Sequence, residues 1–207
     1  NRMGARIEGI GTSALRIKGV KRLHGTEYEI IPDRIETGTY LLAALVSQGD
    51  VELVGYHPTH NVSLVRKLRE MGADVRESEN RIRARYLRRL NGTDFHAEVY
   101  PGLPTDLQPQ FTVLAAVSEG VSVITDTVFS DRFLHVDELK RLGANCSVRN
   151  HAIIVHGVDQ LKGAPVKAKD LRGAAALVLA GINAKDRTVV QNIDYIFRGY
   201  EEIIPKL

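Results

Sequence analysis

Cysteine is nearly absent, with only Cys146 among 207 residues. One thiol excludes a disulfide framework and a multi-cysteine zinc site, and it fits a reducing cytoplasm, the location expected. Long apolar runs are also scarce. The longest near-apolar stretch, Gly173 to Ile182, is about half the length of a membrane span. No basic-then-apolar segment opens the sequence, so no secretory signal and no membrane partner are expected. Neither charge dominates: 28 Lys and Arg against 25 Asp and Glu leave +3, with a pI near 9.0. That balance suits anionic small molecules as well as nucleic acid. The usual glycine-rich phosphate loops are missing, and no histidine pair has metal-ligand spacing, so neither a cofactor nor a metal is expected. His57 and His60 flank a Pro-Thr turn and read as loop residues. What remains is ordinary: 43% hydrophobic and 26% charged residues, enough for a core and unlike a disordered chain. The length allows one or two domains.

The sequence repeats itself. Met3-Gly-Ala-Arg-Ile7, Met71-Gly-Ala-Asp-Val75 and Leu142-Gly-Ala-Asn-Cys146 recur about 70 residues apart, each followed by a second short strand pattern. Gly-Ala ends a helix, and the two strands form a hairpin. Between the hairpins, Asp33, Asp106 and Asp170 each precede an apolar stretch: Tyr40–Val46, Phe111–Val117 and Ala174–Ala180. An aspartate there can cap the free amides of a helix start. A short strand and an amphipathic helix follow, as in Val62–Met71 and Phe133–Leu142. The fold class is therefore α/β, built from strand-helix-strand-helix-hairpin units spanning 21–91, 92–160 and a truncated 161–207. Residues 1–20 read as the terminal hairpin of a preceding domain. The chain starts at Asn1, opens on a hairpin and stops within a third unit, so it reads as part of a longer polypeptide.

Several side chains stand out. Asp106 reads as a helix cap, in keeping with Asp33 and Asp170, and a cap can also be a base. Asp33, Arg34 and Glu36 look like a local ion-pair cluster, and Asp170 with Arg172 like a short-range pair. Arg132 and Arg198 lie near starts of helices of the second type, where a planar guanidinium could hold carboxylate or phosphate. His135 reads as structural, on a packed helix. Arg76, Arg81, Arg83, Arg85, Arg88 and Arg89 form the densest basic stretch. Its alternation favours a solvated outer sheet face. RNA binding is the sharper alternative, although no aromatic platform is interleaved with the arginines.

Five motifs occur in order: Ile31-Pro-Asp-Arg-Ile-Glu-Thr-Gly-Thr39, Pro101-Gly-Leu-Pro-Thr-Asp-Leu-Gln-Pro-Gln-Phe111, Thr125-Asp-Thr-Val-Phe-Ser-Asp-Arg-Phe-Leu-His-Val-Asp-Glu-Leu139, Asp170-Leu-Arg172 and Arg198-Gly-Tyr-Glu201. Together they resemble the UDP-N-acetylglucosamine enolpyruvyl transferases (1-carboxyvinyltransferases), which open peptidoglycan precursor synthesis, over essentially the whole chain. The resemblance implies an inside-out α/β barrel, helices inside and sheets outside, with a ligand cleft between two domains. It implies enolpyruvyl transfer from phosphoenolpyruvate to the 3-hydroxyl of UDP-N-acetylglucosamine, and the absent first domain as partner in the same polypeptide. This chain alone is expected to be inactive.

Carried over residue by residue, the resemblance places Asp106 on the sugar hydroxyl and Asp170 beside the reacting centre. It makes Arg198 a phosphoenolpyruvate ligand, and Arg132 and Arg172 cleft arginines. Val128 contacts the UDP-sugar through its backbone, and Asp33 lies at the cleft rim. The family's catalytic cysteine loop lies upstream, and Cys146 is not its counterpart. Ser130-Asp131 stands where Glu-Asn is usual, and Tyr195 and Phe197 replace a histidine and an aspartate. The competing reading is a non-catalytic repeat-fold binding module with nucleic acid as its partner.

Overall fold

The computed structural model describes residues 1–129 and 132–207; the departures at Ser130 and Asp131 lie outside the described residues. Two compact units divide at Ile31 and Pro32. In the first, β1 (Arg6–Glu8) and β2 (Arg16–Lys18) pair antiparallel, with Ile7 opposite Ile17. The strand expected to open the first repeat does not form. Tyr28, Ile30 and Ile31 are exposed, and their stretch has no ladder partner, so its amides are left to water.

The second unit is built from one plan, used in successive portions. Its complete copy is β6 (Phe95–Ala97), α3 (Gln108–Val117), β7 (Val121–Asp126), α4 (Val136–Arg141), β8 (Asn145–Arg149) and β9 (Ala152–His156). Its four strands lie in the order β6-β7-β9-β8, with β6 parallel to β7 and the other pairs antiparallel. The copy before it has α1 (Arg34–Val46), β3 (Asp50–Val54), α2 (Val62–Glu70), β4 (Asp74–Glu77) and β5 (Arg81–Arg85). Its order β3-β5-β4 is the same sheet without the first strand. The copy after it has β10 (Pro165–Lys167), α5 (Leu171–Asn183) and β11 (Val189–Gln191), then a 3-10 turn at Ile193–Arg198 and a short α6 (Ile203–Lys206). Here β10 and β11 pair in parallel, giving only the first two strands of the plan.

The apolar helices explain the layering. α1, α3 and α5 are buried along most of their length, and all three pack on one another. In the second unit the sheets keep one wet face: β5 alternates exposed Arg81, Arg83 and Arg85 with buried Ile82 and Ala84. Helices therefore lie inside and sheets outside, as expected, but the sheets stay separate and no closed barrel forms among the described residues. α2 and α4 end as their Gly-Ala motifs require. Gly72 and Gly143 take φ of +95° and +82°, the left-handed turn that glycine enters without a Cβ penalty. At Gly38 the reason is space: a Cβ there would lie 2.5 Å from a Leu107 methyl, so any larger residue would have to displace that buried side chain beside Asp106.

Candidate active site

The three aspartates that the repeat makes equivalent do different work. Asp33 caps α1, accepting from the amides of Ile35 and Glu36 at 2.7 and 3.2 Å. Asp170 caps α5 through the Gly173 amide at 2.8 Å. Asp106 caps nothing. It sits inside a 3-10 turn, Thr105–Leu107, that precedes α3 and lacks a side-chain cap. Its carboxylate instead accepts from Arg132 on one oxygen and from Arg172 on the other, the latter at 2.8 Å. The cap reading of Asp106 is thus corrected: the extra turn moves it off the helix end, between two guanidinium groups.

The expected pair of Asp170 with Arg172 is likewise not made, since Arg172 turns to Asp106. The expected cluster at α1 also comes apart. Asp33 is spent on the cap, Glu36 pairs with Lys206 at 3.1 Å, and the Arg34 guanidinium lies 5.0 Å from the Tyr100 ring centre. Neighbours one or two residues apart at a helix start point in different directions and do not meet.

Asp106, Arg132, Lys169, Asp170, Arg172 and Arg198 share the lining of one cavity of about 520 Å³, with Phe129, Leu134, Leu171 and Tyr195. The Arg132 and Arg172 side chains are only 15% exposed. Burial pushes the Asp106 carboxyl up, but the hydrogen bond from Arg132 and the charges of Arg172 and Arg132 outweigh it. The net effect holds Asp106 below the ordinary carboxylate range, ionised at neutral pH. Arg198, exposed at the end of its 3-10 turn, has no acidic partner among the described residues, and Lys169 reaches Glu138 only at 3.9 Å. The cavity therefore offers two cations that share the single negative charge of Asp106 and two loosely held, a setting for an anion.

Of the expected residues, Asp106, Arg132, Asp170, Arg172 and Arg198 converge here. Asp33 and Val128 are not among the lining residues. The Val128 amide donates to Asp126 at 3.0 Å. His135 is buried and structural in its surroundings; burial, then the charge of Arg132, push it down to about 3. Cys146 is buried, and burial pushes its thiol up to about 11, far from a nucleophile's range. The basic strand face is largely paired: Arg81 meets Glu52 at 2.6 Å, and Arg83 and Arg85 share Asp50 at 2.5 and 3.6 Å.

Two groups of residues had no role assigned from sequence. Buried Asp126 accepts from Thr105 Oγ1 at 2.5 Å and from the amides of Val128 and Phe129. It ties the turn carrying Asp106 to the loop leading to Arg132. Thr39, Gln110 and Tyr200 meet in the core behind Arg172. All four residues lie inside or beside the quoted motifs, and that placement was the only signal available.

The profile of the EPSP synthase (3-phosphoshikimate 1-carboxyvinyltransferase) family matches residues 1–207, and the chain belongs to that family. Within it, the chain is 48% identical over 206 residues to the UDP-N-acetylglucosamine 1-carboxyvinyltransferase of Thermotoga petrophila. It is 48% identical over 205 residues to that of Granulibacter bethesdensis. It spans about half the length of these relatives, 49% in each case, while 100% and 99% of the chain is covered. Among solved structures, the enolpyruvyl transferase NikO from Streptomyces tendae superposes with a TM-score of 0.88 at 29% identity. That match covers 100% of this chain and 50% of NikO. EPSP synthase from Acinetobacter baumannii, at 22% identity and a TM-score of 0.73, shares the fold over 96% of this chain and 50% of its own.

Proposed function

We propose that the full-length polypeptide containing this chain transfers the enolpyruvyl group of phosphoenolpyruvate to the 3-hydroxyl of UDP-N-acetylglucosamine and releases phosphate. The observation that carries this reading is the cavity in which Asp106 sits between Arg132 and Arg172, with Arg198 and Lys169 beside it. The reaction needs a carboxylate near an alcohol and cations near a phosphate and a carboxylate, and the cavity presents both. The 48% identity to UDP-N-acetylglucosamine 1-carboxyvinyltransferases supports the sugar nucleotide as acceptor over a shikimate ester. A cytoplasmic role in making peptidoglycan precursor follows from that choice. The ion pairs of Arg81, Arg83 and Arg85 with Glu52 and Asp50 on the face of β5 weigh against the RNA-binding alternative.

The sugar oxygen bonds to the phosphate-bearing carbon while the methylene carbon takes a proton from an acid supplied by the first domain. Breaking the carbon–oxygen bond to phosphate, with return of a methyl proton to that group, restores the double bond. Asp106 accepts the hydroxyl proton. With both oxygens held by arginines it is a poor base until the arriving anion draws off part of the guanidinium charge. Arg198 holds the phosphate or carboxylate of phosphoenolpyruvate by parallel hydrogen bonds. Asp170, already fixed by the Gly173 amide, stands beside the reacting carbons. Val128 offers its backbone to the UDP-sugar, and Asp33 sits at the rim. Residues 1–20 close the first domain, which supplies the facing wall.

The test is phosphate release by the full-length protein from phosphoenolpyruvate with UDP-N-acetylglucosamine, with shikimate 3-phosphate, or with no acceptor. Release with the sugar nucleotide alone is the expected result. Release with the shikimate ester instead would overturn the acceptor, and release with neither would overturn the activity.

A further inference from the structure

We infer that Tyr200 is a positioning residue for this reaction: its buried hydroxyl, held by Thr39 and Gln110, aims Arg172 at Asp106. This rests on the enolpyruvyl-transfer reading of the site. The three inner helices meet at one phenol oxygen. Tyr200 Oη lies 2.9 Å from Thr39 Oγ1 of α1, 3.1 Å from Gln110 Nε2 of α3 and 3.2 Å from Arg172 Nη1 of α5. Gln110 Nε2 also reaches Thr39 Oγ1 at 3.1 Å. Thr39 and Gln110 are fully buried, and Tyr200 is 2% exposed.

The chemistry of the donors sets the direction of the network. A guanidinium only donates, so the phenol oxygen accepts from Arg172 whichever way the Gln110 amide is turned. Arg172 is thereby gripped at Nη1, while its Nη2 donates to Asp106 Oδ2 at 2.8 Å. A planar guanidinium fixed at one nitrogen has the direction of the other fixed too. The guanidinium carbon also lies 5.7 Å from the Tyr200 ring centre, within range of a cation–π contact.

A polar trio in an otherwise apolar helical core is costly where its groups go unpaired. Here both hydroxyls and Gln110 Nε2 are paired, Gln110 Oε1 has no partner among the described residues, and the network ends on the carboxylate that the proposed chemistry uses. Arg132 holds the other oxygen of Asp106 from a different loop. Loss of the Tyr200 hydroxyl therefore frees one oxygen and leaves the other held.

The experiment uses the full-length protein, with Asp106→Asn as the reference for a disabled site. Tyr200→Phe, which removes one oxygen, should lower kcat roughly 10- to 100-fold, the scale of a misplaced reacting group. KM for UDP-N-acetylglucosamine should stay near the wild-type value. Thr39→Val should fall in the same direction, and Thr39→Ser, which keeps the hydroxyl, should restore kcat. Carbon-13 carboxyl NMR of Asp106 reads the same coupling without turnover. In Tyr200→Phe its titration midpoint should rise, because the carboxylate loses a fixed donor.

Wild-type kcat in Tyr200→Phe, where Asp106→Asn has lost it, overturns the inference, as does an unmoved midpoint. If the wild type transfers nothing, the functional reading fails, and the midpoint alone decides whether Tyr200 holds Asp106. If Tyr200→Phe does not fold, the Thr39→Val and Thr39→Ser pair carries both comparisons.

Discussion

At the scale of single residues, the site is governed by which charges are committed. Asp106 shows how geometry overrides position in a repeat: its counterparts are caps, yet it is the hub of two ion pairs. His135 shows the opposite case, a titratable group kept neutral. It is 3% exposed, its Nε2 has no hydrogen-bond partner among the described residues, and its pKa is pushed down to about 3. A histidine depressed in the folded state contributes stability that is complete above its unfolded pKa of about 6.5. That contribution is lost as pH falls toward the folded value, because the unfolded chain takes up the proton first. Lowering the pH from 7 to 5 should therefore reduce the urea midpoint of the wild type more than that of His135→Asn. Equal shifts in the two proteins would show that His135 is not held neutral.

At the scale of elements, the caps give a clean contrast. Asp33→Ala and Asp170→Ala should each cost about 1 kcal/mol of unfolding free energy in urea titrations, the usual worth of an N-cap. A loss indistinguishable from zero at both positions would contradict the capping geometry. Much of this level was legible in the sequence. The Gly-Ala motifs marked helix ends because only glycine enters the left-handed turn cheaply, and the apolar stretches marked α1, α3 and α5 because helices buried all round need no polar face.

What was not legible is non-local. Arg172 and Asp106 are 66 residues apart, and nothing in the spacing says that Arg172 leaves its neighbour Asp170 for Asp106. The displacement of Asp106 from a cap comes from one extra 3-10 turn, which the repeat pattern does not encode. Tyr200 and Gln110 lay inside recognised motifs, but their meeting point exists only once three helices pack. The strand expected to open the unit 21–91 does not form, because a strand needs a neighbour to pair with.

At the scale of the whole molecule, the chain presents a charged cavity. Its cavity is open, with Arg198 exposed on its lining, and the relatives it matches are about twice as long. Closure of a second domain would exclude water and strengthen each charge interaction inside. The proposed proton acceptor for the attacking hydroxyl is Asp106, poised between Arg132 and Arg172. Phosphate release by full-length Asp106→Asn from phosphoenolpyruvate and UDP-N-acetylglucosamine, beside a thermal melt and a UDP-sugar binding isotherm, tests that role. Asp106→Asn should fold, still bind the UDP-sugar and turn over roughly 10²–10⁴ times more slowly than the parent. Turnover within a few-fold of the parent, in a variant that folds and binds normally, would contradict it.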